Sequence, residues 1–147
     1  MPGILQEQIA VMSPLVTARF ARHTVAASLT ASALNVIDTN AASGALNVTG
    51  EVMPFAGAIV GVGAALSVAA SAGSLTLDVT INGTVTGFQL VITTSASGST
   101  IKEYGQPGFR FNAGDTIGVK ITTTAGWNGT TADLLATVYA IFDQAIF

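Results

Sequence analysis

Few residues in this chain have the chemistry for catalysis. The single histidine, His23, has no carboxylate near it in sequence, so it reads as a surface or capping residue rather than a base. Glu103 and Asp115 are carboxylates near loops, and neither has a partner that the spacing can place. Asp115, in Ala113-Gly114-Asp115-Thr116, reads instead as a turn residue bonding its own backbone. Gly61-Val62-Gly63-Ala64-Ala65-Leu66 begins like a dinucleotide fingerprint, but it lacks the third glycine and no βαβ pattern follows. No acidic loop offers the converging oxygens that calcium needs, and zero cysteines exclude thiolate chemistry and Cys-based metal sites. Asn47, Asn82 and Asn128 each start an N-x-T tripeptide, and Asn82 and Asn128 are followed by glycine, which reads as turns. Lys102, Tyr104, Arg110 and Trp127 form a candidate recognition patch, although a lone Trp beside Asn-Gly also fits a lid over a core. The sequence points to no catalytic site, no cofactor and no metal, and therefore away from an enzyme.

Composition narrows the field further. Of 147 residues, 50% are hydrophobic and only 9% charged, with a mean hydropathy of +0.61. An ordinary soluble domain carries about 25% charged residues. Five basic against eight acidic side chains cannot neutralise a row of phosphates, which argues against nucleic acid as the partner. Such a chain either sits in a membrane or is covered by other protein. The charge-free stretch Val52 to Leu77 is long enough to span, and Gly57 and Gly61 make a GxxxG pattern within it. Pro54 and several glycines interrupt any helix there, and no Lys or Arg lies between Arg22 and Lys102 to anchor its ends. A membrane span is therefore not expected. Met1 to Ala18 contains no basic residue to begin a signal peptide, so the expected compartment is the cytoplasm or a particle assembled there.

The elements that would position any site are strands. Leu75, Leu77, Val79 and Ile81 alternate with Thr76, Asp78 and Thr80, then Asn82-Gly83 supplies a hairpin turn, and Val85, Phe88, Leu90 and Ile92 resume beyond it. Ile117, Val119 and Ile121 alternate after the turn Asn112-Ala113-Gly114-Asp115. The last strand, near Asp133 to Phe142, is apolar on both faces, so both should be covered. Earlier strands are expected at about 26–37, 45–55 and 58–68. Together these describe an all-β, jelly-roll-like antiparallel sandwich over residues 24–147.

Met1 to His23 is apolar without sustained alternation, and Pro14 interrupts it. It packs on its own domain as a strand or short helix, or it extends over a neighbour as an arm. The arm reading is preferred. Its contacts would be Ile4, Leu5, Ile9, Met12, Leu15 and Phe20, with Arg19 and Arg22 facing the acidic body of another copy.

The run Gly108-Phe109-Arg110-Phe111-Asn112-Ala113-Gly114-Asp115-Thr116-Ile117-Gly118-Val119, with Trp127 and Thr131 to Tyr139 after it, resembles the F-x-A-G-D-x-I-x-V pattern of trimeric jelly-roll virion proteins of tailed bacteriophages. Met53 to Val62 and Ser74 to Gly83 resemble earlier strands of such heads, which are related to tumour-necrosis-factor and C1q-type heads. The resemblance covers about residues 50–142. It implies a homotrimer whose axis buries Leu135, Tyr139, Ile141 or Phe142. It also implies a capsid decoration role on the virion exterior, with the major capsid protein and neighbouring decoration subunits as partners. A receptor- or glycan-binding fibre head using Tyr104, Arg110 and Trp127 is the alternative.

Overall fold

The computed structural model describes residues 15–36, 48–101 and 109–143. Ile4, Leu5, Ile9, Met12 and Tyr104 lie outside these residues.

The described chain forms two antiparallel sheets. One holds β1 (Leu15–Arg22), β3 (Asn35–Val36), β5 (Gly57–Leu66), β8 (Ser97–Ile101) and β11 (Leu134–Phe142), in the order β3-β1-β11-β5-β8, with β9 (Arg110–Phe111) also on β5. The other runs β2-β10-β6-β7 and comprises β2 (Ser32–Ala33), β10 (Thr116–Thr123), β6 (Leu75–Ile81) and β7 (Thr84–Ile92), with β4 (Glu51–Val52) also on β10. The pairs nest: β1 with β11, β4 and β2 with β10, β5 with β8 and β9, and β6 with β7 innermost. Antiparallel pairs wrapped in this way around a central hairpin make a jelly roll.

The alternation read from sequence places the core. Leu75, Leu77, Val79, Ile117, Val119 and Ile121 point inward from one sheet, facing Phe20, Ile59, Val62 and Leu134 from the other. Asn82 takes the left-handed conformation (φ 52°), as does Gly83 (φ 79°), which is the geometry a two-residue primed turn demands. Phe88, Leu90 and Ile92 are buried as expected, but Val85 faces solvent. Val85 lies an odd number of residues from Phe88, Leu90 and Ile92, so strand alternation puts it on the opposite face, and the two-residue register shift between Asp78 and Thr80, with Gly87 at φ 81°, leaves that parity unchanged. The charge-free stretch from Val52 to Leu77 forms β5 and its flanks. Among the described residues no helix is long and apolar enough to cross a membrane.

The preferred reading of residues 1–23 as an arm needs correction. Leu15–Arg22 is β1, paired residue for residue with β11 from Leu15 opposite Ile141 to Arg22 opposite Leu134. Phe20 is fully buried in the core of its own domain, Ala18 nearly so, and Arg22 donates to Ser32 Oγ at 2.8 Å. Phe20 and Arg22 are therefore not arm contacts, and the head begins by Leu15 rather than at Thr24. The alternation was masked by small side chains. Ala18 and Phe20 face in while Thr17 and Arg19 face out, but Ala18 differs little in hydropathy from Thr17, and the exposed Leu15 breaks the pattern. The strand expected over 26–37 is also replaced: the chain crosses between sheets there, with β2 on one, β3 on the other and Leu34 buried between them.

Asp115 locks two turns at one end of the sandwich. Its carboxylate accepts from the Asn112 amide at 2.8 Å and from Asn82 Nδ2 at 2.9 Å, while Asn82 Oδ1 accepts from the Thr116 amide at 2.9 Å. The Asn112 backbone bond first, and the Asn82 side-chain bond second, hold its carboxyl below its ordinary pKa. A depressed folded-state pKa stabilises the fold above the unfolded-chain value of about 3.9, and that contribution is lost as pH falls through the folded value. Asp115→Asn should therefore lower the melting temperature at pH 5 to 7, with the gap to wild type closing at lower pH. A gap that stays constant with pH would show that ionisation of Asp115 contributes nothing.

Candidate functional site

β11 is the central strand of its sheet, and its two faces differ. Leu134, Ala136, Val138, Ala140 and Phe142 point into the sandwich, while Leu135, Thr137, Tyr139 and Ile141 point out and stay partly exposed. Of the residues expected at a trimer axis, Leu135, Tyr139 and Ile141 thus share one outward face. Phe142 does not belong with them. It is 7% exposed and packs edge-on against Phe55 and Phe111 within its own domain, because strand alternation turns it inward.

The neighbouring strands extend this outward face. Register places Leu15, Thr17, Arg19 and Ala21 of β1 on one side of β11, and Ala65, Gly63 and Gly61 of β5 on the other, followed by Ser97, Ser99 and Ile101 of β8. Leu15 is 62% exposed and Ile101 82%. Tyr139 lies over the β5 glycines, and a methyl group built on Gly61 would stand 3.4 Å from its ring. The result is a broad, shallow, mostly apolar sheet face with a central aromatic ridge. Among the described residues of β1, β11, β5 and β8, its rows carry one charge, Arg19. Apolar faces of this kind mark interaction surfaces. The sequence signal for Ile101 was weak, since Ser97-Gly98-Ser99-Thr100 reads as a loop rather than a strand.

The other candidate residues are dispersed. Trp127 is 2% exposed, and its indole N–H donates to the Val25 carbonyl at 3.0 Å, so it is the lid over the core. Arg110 pairs with Asp143 beside the start of β5, at the opposite end of the sandwich. Arg110 and Trp127 therefore do not form one recognition patch. His23 does have a carboxylate partner that sequence distance concealed: its Nδ1 lies 3.4 Å from Asp133 Oδ1. That same oxygen accepts the Thr24 amide at 3.1 Å, and both side chains are largely in solvent, so the pair anchors a loop. An open depression at this end, lined by Ala21, Ala65, Leu135, His23 and Asp133 among others, continues the apolar face. Among the described residues no cluster of three or more His, Cys, Asp or Glu could hold a metal ion.

No family model and no curated protein matches the chain in sequence. Among solved structures, the chain is similar to the globular domain of a zebrafish complement 1qA protein. The identity is 14%, the match covers 91% of this chain and 99% of that one, and the TM-score is 0.42. The nested strand pairing defines the jelly roll independently of that likeness.

Proposed function

We propose that this protein is a homotrimeric structural head that decorates the outside of a tailed-bacteriophage capsid, acting by binding rather than by catalysis. The outward face of β1, β11, β5 and β8 is the observation that carries the trimer. Leu15, Leu135 and Ile101 are exposed there and Tyr139 and Ile141 partly so, and a second and third copy would remove that apolar surface from water. The virion role rests on the sequence resemblance. Asn112-Ala113-Gly114-Asp115, the part of that resemblance between the two strands, is the turn that joins β9 to β10.

In this reading the arm is confined to residues 1–14, where Ile4, Leu5, Ile9 and Met12 remain as contacts to neighbouring decoration subunits or to the major capsid protein. Each such side chain contributes roughly 1.5–3 kcal/mol when fully buried, before ordering costs are subtracted. The test is sedimentation of the full-length protein with shells assembled from the major capsid protein of the same virus. Saturable binding in multiples of three copies, with a rise in the temperature at which shells rupture, is expected. Shells that sediment without the protein at saturating concentration would overturn the capsid role.

A further inference from the structure

A second exposed apolar patch lies at one end of the sandwich, away from the outward sheet face. Val52 is 62% exposed and Phe55 51%. The Phe55 ring rests edge-on against Phe142 with centroids 5.4 Å apart, so the patch is held rigidly on the core. The described chain starts at this same end. Leu15 is opposite Ile141, the residue before Phe142, and adjacent strands are about 4.8 Å apart. The segment that enters here is apolar, with Ile4, Leu5, Ile9, Val11 and Met12 against one charge, Glu7.

We propose that residues 1–14 of one copy lie across the Val52–Phe55 end of a neighbouring copy. This inference rests on the homotrimer proposed above. Leu15 is on the outward sheet face, so the chain preceding it enters at the boundary between subunits. Cyclic symmetry places equivalent points at one height along the axis, which brings a neighbour's Val52–Phe55 end level with that entry. Fourteen extended residues reach roughly 46 Å. A globule of this length is roughly 38 Å across, so the next copy is within range. The patch on the same copy is also within this reach, and the path to it is distinct. It crosses the end of β11, where the Asp143 amide bonds the Ala56 carbonyl at 2.9 Å and the Asp143 carboxylate pairs with Arg110.

The chain has no cysteine, which permits a clean test. Full-length double variants would combine Phe55→Cys with Leu5→Cys, Ile9→Cys or Met12→Cys, with Val52→Cys as a second anchor should Phe55→Cys weaken the fold. Each would be oxidised and run on non-reducing gels beside its single-cysteine controls. Covalent dimers and trimers comprising most of the chains, absent from the controls, are expected for at least one pair. Cross-links confined within single chains would assign the patch to its own segment and overturn the proposal, as would no cross-link for any pair. Light scattering before oxidation separates the two readings. A trimer that gives no inter-chain link refutes the docking alone, whereas a monomer refutes the trimer as well.

Discussion

A chain that begins at Thr24 is expected not to fold. Such a truncation removes all of β1, and with it one of the two strands that pair with β11, along Leu134 to Ile141. It also removes the strand on which β3 pairs at Phe20 and Ala21. The core loses Ala18 and the fully buried Phe20. Phe20→Ala alone should cost about 3–5 kcal/mol, the range for emptying a buried aromatic site. Whole-domain stability is typically about 5–15 kcal/mol, so losing the residue, the ladder and the covered edge together exceeds what the fold can bear. Urea titration of Phe20→Ala should show an earlier midpoint with little change in slope, and the Thr24 chain should show no cooperative transition. A Thr24 chain with intact near-ultraviolet dichroism and sharp unfolding would restore β1 to the arm. The practical consequence is that shell-binding tests of the arm must cut within residues 1–14.

Legibility in the sequence followed side-chain contrast. Leu75 to Ile81, the Asn82-Gly83 turn and Ile117 to Ile121 were readable because large aliphatic residues alternate with Thr, Asp and Lys. β11 was readable as a two-sided apolar strand, but not which face turned inward, because both faces carry comparable residues. β1 was missed where Ala and Thr flatten the alternation, and because Pro14 suggested a broken segment. β2, β3 and β4 are two residues long each, below the length at which any period shows. Of the outward sheet face, Leu135, Tyr139 and Ile141 share one row that strand alternation makes legible in the sequence. Ile101 and the glycine floor beneath Tyr139 depend on which strands flank β11, and that is a property of topology. The His23–Asp133 pair was invisible for the same reason, since 110 positions separate its members.

Tyr139→Asp, and separately Leu135→Asp, should each convert the proposed trimer to a monomer without unfolding the head. Both residues point away from the core, so the folded subunit loses little beyond the contact of the Tyr139 ring with Gly61. In the proposed trimer, symmetry repeats each substitution three times, and every new carboxylate would have to leave water against a face whose described charges are Arg19 and, at its far end, Arg110, already paired with Asp143. A desolvated, unpaired charge costs several kcal/mol per ion, enough to shift an assembly equilibrium by orders of magnitude at each interface. Light scattering should therefore report one-third of the wild-type mass for both variants, with circular dichroism and the melting profile of a folded β domain. Val91→Asp is the control: Val91 is more exposed than either residue but lies on the outward face of the other sheet, so its mass should stay that of the trimer. Trimers that persist in both Tyr139→Asp and Leu135→Asp would remove this face from the assembly. A loss of trimer in Val91→Asp would move the contact to the opposite sheet.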